Sequence, residues 1–276
     1  EARMEEMEFV KGLGVYAEAP IQECLDRTGK RPIGTRWVDI LKGELTRSRW
    51  VAQDFKRKGD NTREDLFAAM PPLEAKKALF RLAAVRMTGR NTRRGEPMKL
   101  MMVDVRKAHL NAKCNRDDVY VNLPEEAKAA SGMCGRLLRW LYGMRGAAQG
   151  WEEEFGGKLG GVGFTQGKSS PVVFYRDSDE TIVVVHGDDF TFLGYPDSLD
   201  QLLADMKEWW DIKLRGIVGS DPEDCKEITI LNRILTWDGN EVTLRSDPKH
   251  QEEITKAFGL NAGSRGITIP VDKEAA

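Results

Sequence analysis

The chain has 276 residues, 41% hydrophobic and 31% charged, which is typical of a globular protein with one large domain or two smaller ones. No apolar run approaches the roughly 20 residues that span a bilayer, so we expect no membrane contact, and the acidic, amphipathic first ten residues lead us to expect no signal peptide. The four cysteines are widely spaced and form no CxxC pair, which indicates reduced thiols in an intracellular protein and argues against a zinc site.

The net charge of −2 hides an uneven distribution of charged residues. Residues 27–58 carry ten Lys and Arg against three Asp and Glu, and residues 76–116 carry twelve against two. Residues 177–256 carry eight against nineteen. A basic first half predicts a polyanion partner such as nucleic acid, although two solvated faces of an ordinary domain would give the same pattern.

Periodicity and turn signals predict the elements of the first half. Residues 3–13 have helical spacing. Residues 35–41 and 47–56 form two strands around a turn at 42–44, and together they make a basic β-hairpin. Residues 71–89 form a helix, because the prolines stand at its start and a glycine ends it.

The second half continues with short strands and longer helices. The order strand, helix, strand, strand, helix in its middle favours a ferredoxin-like α+β sheet. Strands are predicted at the start of the stretch 98–110 and at residues 119–124, 172–177, 181–187 and 190–194. Residues 135–144 lead into a helix at 147–164, a second helix covers 198–214 with Ser198 as N-cap, residues 228–246 form a hairpin across Asp238-Gly239, and a last helix begins at Asp247 and Pro248.

The stretch TIVVVHGDDFTFLG, residues 181–194, places Asp188 and Asp189 between two apolar strands. Asp104 ends another apolar strand, and adjacent strands lie only about 4.8 Å apart. Three carboxylates could therefore converge at one end of the sheet, where Mg²⁺ or Mn²⁺ would let them coexist. Two such ions about 4 Å apart can drive an in-line displacement at a phosphate. Gly-Asp-Asp is also ordinary hairpin-turn chemistry, and that alternative stays open.

Six segments, in order, resemble motifs of the reverse transcriptase domain of copia-type retrotransposons, and in particular their divergent protist-type copies. The likeness covers roughly Thr35 to Pro270. It implies a right-hand polymerase fold with a ferredoxin-like palm, basic fingers and a partial thumb. The segments are RSRWVAQDF for the family's KARLVAKGF, DLFAAMPPLEAKKALFRLAA for ETFAPV and its following helix, MVDVRKAHLNA for MDVKTAFLNG, VYVNLPE for VYMKQPEG, LRWLYGMRGAAQGWEEEF for LKKALYGLKQAPRAWYEKL, and VVVHGDDFTFLG for LLLYVDDMLITG.

The resemblance also implies a division of the chain and an activity. Residues 1–98 would form the N-terminal helix and fingers, 99–215 the palm with a fingers insertion around 111–146, and 216–276 a primer-grip-like hairpin and the start of the thumb. The activity would be RNA-directed DNA polymerisation with Mg²⁺ or Mn²⁺ on an RNA or DNA template-primer, using deoxynucleoside triphosphates. The chain would be a fragment of a Gag-Pol polyprotein that includes integrase and ribonuclease H, in a cytoplasmic virus-like particle or the nucleus.

Motif positions assign roles to individual residues. Asp104 and Asp188 would be the two main metal ligands, with Asp189 as the third acid. Arg49 falls on the fingers arginine that meets the incoming triphosphate, with a surface arginine as the alternative. Lys42 is a second candidate for that contact, or simply a turn lysine.

Five positions depart from the family motifs. His109 replaces the phenylalanine that excludes a 2′-hydroxyl, and a half-buried histidine at a strand end is the alternative. Gly146 replaces a glutamine that supports the nucleotide, which predicts the absence of an amide contact and added flexibility. His186 and Gly187 replace the tyrosine and valine before the acids, and Asp54 brings negative charge near the phosphate path.

Two other functions compete with an active polymerase. A relic that binds nucleic acid but no longer polymerises is favoured by Gly146, His109 and Asp54, while the three intact acids favour the enzyme. A metal-dependent phosphohydrolase could use similar carboxylates, but the chain has three histidines and neither an HxxxH nor an HD pair. The absence of a Walker-type glycine loop disfavours an NTPase.

Overall fold

A computed structural model describes residues 1–55, 73–261 and 263–264, which form an α+β fold. The helices are α1 (Ala2–Gly12), α2 (Ile21–Thr28), α3 (Leu73–Arg86), α4 (Ala108–Asn111), α5 (Ala147–Gly161), α6 (Pro196–Trp209) and α7 (Pro248–Ala257). The strands are β1 (Tyr16–Pro20), β2 (Thr35–Lys42), β3 (Leu45–Ala52), β4 (Lys99–Val105), β5 (Tyr120–Val121), β6 (Met133–Leu137), β7 (Thr165–Gln166), β8 (Val173–Arg176), β9 (Thr181–His186), β10 (Asp189–Gly194), β11 (Ile212–Val218), β12 (Glu227–Ile230), β13 (Arg233–Trp237) and β14 (Val242–Ser246).

The largest sheet has six strands in the order β11-β4-β10-β9-β8-β7, with all neighbours antiparallel. Successive residues of a strand point to opposite faces, so β4 divides between two cores. Met101 and Val103 belong to the core covered by α5 and α6, while Leu100 and Met102 belong to the core covered by α3 and β12–β14. Asp104, near the end of β4, and Asp189, at the start of β10, therefore lie at one end of two interior strands, in a sheet that is packed on both faces.

The basic hairpin predicted near the N-terminus is present as β2 and β3, paired from Thr35–Ala52 to Lys42–Leu45. Helix α1 packs against β3, and Arg3 of α1 forms an ion pair of 2.6 Å with Asp39 of β2. A separate three-stranded sheet has the order β1-β6-β5. The sequence did not predict the short strands β1, β6 and β7, or the eight-residue helix α2.

Two predicted boundaries in the second half are wrong. The helix predicted at 198–214 begins earlier, with Tyr195 as N-cap and Pro196 in its first turn, where the fixed φ of proline suits a helix start. It ends at Trp209, and Ile212 opens β11, which gains the backbone hydrogen bonds of β4.

The stretch 228–237, predicted as one strand, contains a tight turn at Leu231 and Asn232 with φ of 45° and 57°. Positive φ at both central residues is the signature of a type I′ hairpin turn, so β12 and β13 are separate strands. The predicted turn at Asp238-Gly239 is confirmed between β13 and β14. The predicted start of α7 is confirmed as well, with the Asp247 side chain accepting from Lys249 N.

Among the described residues, no helix is long and apolar enough to cross a membrane. The predicted start of α3 at Pro71 lies outside the described residues, as does Lys56, the predicted end of the second hairpin strand. That strand was nevertheless predicted too long, because β3 ends at Ala52 and residues 53–55 are not in a strand.

Candidate active site

Asp104 and Asp189 lie directly opposite each other on the antiparallel strands β4 and β10. Side chains opposite each other in such a pair share a face, with Cβ atoms about 5 Å apart. Asp188 lies in the two-residue turn between β9 and β10, and its carbonyl oxygen accepts a hydrogen bond of 2.9 Å from Val105 N. The three predicted acids are thus brought to one end of one sheet.

The two opposed acids belong to a row of charged and titratable residues that crosses four strands. Asp189 pairs in register with His186 on β9 as well as with Asp104, and Asp104 pairs with Lys213 on β11. Since Met102 lies two residues before Asp104 and faces the α3 core, the row lies on the α3 side of the sheet.

Two cations approach this row from neighbouring elements. Arg215 occupies a register shift of β11 between Leu214 and Gly216, and its Nη1 lies 3.6 Å from Asp104 Oδ2. Lys76, on α3, is only 3% exposed, and its Nζ has no hydrogen-bond partner among the described residues. The acids therefore attract cationic side chains in the protein itself.

Burial and charge crowding shift the pKa values of these groups. Burial raises the pKa of Asp189, and the neighbouring charges of Asp188 and Asp104 raise it further. Burial lowers the pKa of Lys76 to about 8, and attraction to Asp189 offsets only part of this change. The pKa of His186 is lowered by burial and by Lys76. A cation at this end of the sheet would relieve the repulsion among the carboxylates.

A side chain of α5 forms a hydrogen bond with the turn that carries Asp188. Gly187 has a φ of 65°, the positive value that a type II′ hairpin turn needs at its first central residue. Its carbonyl oxygen accepts a hydrogen bond of 2.8 Å from Trp151 Nε1. Trp151 is itself buried among aromatic rings, with the Trp210 centroid 5.0 Å away. The Gly187 that replaces the family's valine thus serves the turn geometry.

The chemistry of the donor set suits a divalent cation, because carboxylate oxygens are the hard ligands that Mg²⁺ and Mn²⁺ prefer. In residues 1–55, 73–261 and 263–264, however, no group of three or more His, Cys, Asp or Glu is arranged to hold a metal ion. Asp104 instead faces Arg215, and Asp188 is exposed on the turn. The residues fit the metal by chemistry and backbone placement, and coordination would require their side chains to turn toward a common point.

A second cluster centres on Tyr142. The guanidinium carbon of Arg49 lies 5.6 Å from the centre of the Tyr142 ring, and the His109 ring meets the same ring edge-on at 5.8 Å. Burial lowers the pKa of His109; the charge of Asp188 opposes this shift, and the charge of Arg49 adds to it. His109 lies in the short helix α4 rather than at a strand end. The structure thus brings two predicted nucleotide-side residues together around a tyrosine that the sequence analysis did not single out.

A cavity of about 440 Å³ opens beside this cluster, between α1, β3 and α4. At its wall Lys107 forms an ion pair of 2.6 Å with the buried Glu6, and its ammonium lies 3.7 Å from the centre of the Phe9 ring. The cavity is lined by Arg47, Arg49, Lys107, Tyr142, Glu5 and Glu6, among others. Its size and three cationic side chains suit a phosphate-bearing ligand, although the two glutamates reduce its net charge.

Two further predicted positions lie on the β2–β3 hairpin and just after it. Lys42 is the last residue of β2, at the tip of the hairpin. Asp54 Oδ2 accepts a hydrogen bond of 3.1 Å from Arg145 N, which links the residues after β3 to the segment that precedes α5.

Gly146 lies buried against an indole ring. It is the N-cap of α5 with φ −84° and ψ −4°, and a Cβ there would lie 2.6 Å from Trp140 Cη2. In the family motif LKKALYGLKQAPRAW the position of Trp140 is alanine. The indole therefore occupies space next to the backbone where the family carries its glutamine.

Sequence reasoning missed four residues that support the two clusters: Lys76, Tyr142, Trp151 and Arg215. A signal existed for Lys76, because it precedes the apolar positions Leu79 and Phe80 by one helical turn and so falls on the buried face of α3. The β-bulge that aims Arg215 at Asp104 has no local sequence signature.

Comparisons with known proteins place the chain in a family. Residues 25–218 match the family described as reverse transcriptase (RNA-dependent DNA polymerase). The Retrovirus-related Pol polyprotein from transposon TNT 1-94 of Nicotiana tabacum is 24% identical over 227 residues, which cover 78% of this chain and 16% of that protein. The chain thus spans about a sixth of the curated relative that it matches.

Two solved telomerase structures are similar at 8% identity. The match to the structure from Candida albicans has a TM-score of 0.48 and covers 96% of this chain and 50% of the telomerase chain. The match to the structure from Candida tropicalis has a TM-score of 0.41 and covers 88% of this chain and 59% of the telomerase chain. The assignment of the chain to a family depends on the family match over residues 25–218, which is most of the chain, and not on these two structures. The chain belongs to the reverse transcriptase (RNA-dependent DNA polymerase) family, whose right-hand polymerase fold it shares.

Proposed function

We propose that this chain is the polymerase segment of a retrotransposon polyprotein and that it copies RNA into DNA at the acidic end of the six-stranded sheet. One observation carries the proposal: Asp104 lies opposite Asp189 in register, with Asp188 on the turn that joins β9 to β10. Family membership supplies the reaction class, and this arrangement supplies the carboxylates for it.

The reaction would be an in-line displacement at phosphorus. The primer 3′-hydroxyl oxygen forms a bond to the α-phosphorus of a deoxynucleoside triphosphate, the bond from that phosphorus to the bridging oxygen of the β-phosphate breaks, and pyrophosphate leaves. The hydroxyl proton passes to solvent. Bound Mg²⁺ or Mn²⁺ would activate the hydroxyl and neutralise charge on the pyrophosphate, and Asp104, Asp188 and Asp189 would hold the ions.

The nucleotide would enter from the side of the Tyr142 cluster. Arg49 and Arg47 on β3 would contact the triphosphate, and Lys42 at the hairpin tip would lie at the outer end of the same path. His109, packed edge-on against Tyr142, would lie beside the sugar. Gly146 would leave the nucleotide without the amide contact that the family's glutamine makes, and the indole of Trp140 has no amide group with which to make it.

The partners and organisation follow from the same proposal. The template-primer would be held by phosphate contacts from the basic first half, as expected for sequence-independent binding. Residues 1–98 would act as fingers, 99–215 as palm and 216–276 as primer grip and the start of the thumb. Integrase and ribonuclease H would belong to the same polyprotein, and the site of action would be a virus-like particle in the cytoplasm or the nucleus.

The test is primer extension on poly(rA)/oligo(dT) with Mg²⁺ and Mn²⁺ compared. Asp188→Asn should abolish extension while the affinity for template-primer, measured by fluorescence anisotropy, stays within about twofold. Asp200→Asn, at an exposed acid on α6, is the matched control and should extend normally. Binding without extension in the natural chain under both metals would identify a relic, and joint loss of binding and activity in Asp188→Asn would indicate a folding role for the acid.

A further inference from the structure

Lys76 occupies an unusual position for a lysine. On α3 it precedes Leu79 and Phe80 by one turn, and these residues pack on the sheet face that carries Asp104 and Asp189. The helix therefore places the lysine on its buried stripe, over the same face as the acids. Only 3% of Lys76 is exposed, and its Nζ has no hydrogen-bond partner within the described part of the chain.

Burying an unpaired ammonium is costly, and lysines are rarely found fully buried unless a negative charge compensates them. The negative charge on this face comes from the acids at the strand ends, and the attraction of Asp189 raises the pKa of Lys76 against the effect of burial. Arg215 also faces the acids, but its side chain is 41% exposed and therefore screened by water. Of these two cations, Lys76 is the one whose field on the acids is less screened.

The consequence concerns how a divalent cation enters. A fixed positive charge in a dry environment attracts the carboxylates and repels a dication that approaches them. The site would then fill more readily when the cation arrives with compensating negative charge, as it does on a triphosphate.

We propose that Lys76 is a positioning residue of the metal site, which balances the charge of Asp189 when no metal is bound and weakens the binding of free divalent cations. This role rests on the proposed function of the three acids. It differs from an ordinary structural role, because a lysine that merely packs α3 onto the sheet would leave the affinity for metal unchanged.

The experiment measures Mn²⁺ binding to the full chain without nucleotide, by electron paramagnetic resonance of the free ion. Lys76→Met keeps the length of the side chain and removes its charge, so it should bind Mn²⁺ severalfold more tightly, because the dication no longer meets a nearby charge of the same sign. Lys76→Arg keeps the charge and should bind like the natural chain. Lys77→Met, at the exposed neighbour on the same helix, is the matched control and should also bind like the natural chain.

Asp189→Asn separates the two proposals. If it weakens Mn²⁺ binding while Lys76→Met, shown to be folded by circular dichroism, leaves binding unchanged or weaker, the role of Lys76 is refuted and the metal site stands. If Asp189→Asn has no effect on Mn²⁺ binding, the metal site of the proposed function fails, and the role of Lys76 fails with it. Lys76→Gln is measured in parallel and should also bind more tightly, so that a folding defect of the Met variant does not decide the outcome.

Discussion

Gly150, in the first turns of α5, is expected to resist a substitution that helix propensity favours. Alanine is preferred over glycine in a helix interior by about 1 kcal/mol. A Cβ at Gly150, however, would lie 2.1 Å from Trp140 Nε1 and 2.3 Å from Cδ1, far inside contact distance. Trp140 is 4% exposed, so its ring has no free space into which it can move.

The two effects oppose each other. Overpacking a core costs typically about 1–3 kcal/mol, and subtracting the propensity gain of about 1 kcal/mol means that Gly150→Ala should lower the free energy of unfolding by up to about 2 kcal/mol. Gly157 is exposed in the same helix, and a Cβ there meets nothing within 4 Å, so Gly157→Ala should raise the free energy of unfolding by about 1 kcal/mol. Urea unfolding followed by circular dichroism measures both.

The substitution should also reach the acids, because the next residue, Trp151, holds the Gly187 carbonyl. Movement of α5 away from Trp140 would displace that donor, and polymerase activity should fall with Gly150→Ala but not with Gly157→Ala. In the Trp140→Ala background the cost of Gly150→Ala should disappear, since the clashing ring is gone. Equal stabilisation by Gly150→Ala and Gly157→Ala would refute the reasoning.

Three further predictions concern the two clusters and the basic hairpin. Trp151→Phe removes the donor to Gly187 and should cost about 1 kcal/mol in urea unfolding together with activity; full activity would contradict a role for the turn in catalysis. Arg47→Glu with Arg49→Glu should weaken template-primer binding and reduce the log–log salt slope by about 0.9 for each phosphate that is no longer neutralised, whereas Asp200→Lys on α6 should change neither; an unchanged slope would place the nucleic acid elsewhere. Burial lowers the pKa of His109 in the folded chain, so as the pH falls the unfolded chain binds a proton at this histidine first, and stability present above about pH 6.5 is lost. His109→Phe should remove this loss of stability between pH 7.5 and 5.5 and should improve the discrimination of dTTP over UTP in kcat/KM. A variant equal to the natural chain in both assays would show that His109 neither titrates with folding nor contacts the sugar.

Local signals were sufficient to predict the strands that carry the acids. The β-branched run before Gly187 and the apolar run after Asp189 both have strand character, and a glycine followed by an acid favours a tight turn. The end of α6 was mispredicted because MKEWWDIKL continues a helical pattern past Trp209. What makes Ile212 a strand residue is its pairing with Val105 on β4, which lies about a hundred residues earlier in the chain.

The candidate site was predictable only in part, for the same reason. Acids at strand ends can be recognised one by one from the sequence. The approach of Lys76 and Arg215 to them depends on how α3 and β11 pack against β4. The contact between Arg49, Tyr142 and His109 joins three separate elements, and no spacing along the chain encodes it.

The departures from the family motifs also look different once packing is included. Loss of a glutamine at Gly146 would leave a gap if nothing else changed, but the Trp140 indole lies against that backbone and against Gly150. The smaller ring of His109 likewise packs against Tyr142, which the family motif shares. Each loss of bulk or polarity is therefore matched by an aromatic contact within the chain. The three acids themselves match the family motifs, so the departures that bear on activity are His186, beside Asp189 in the row, and the residues of the Tyr142 cluster.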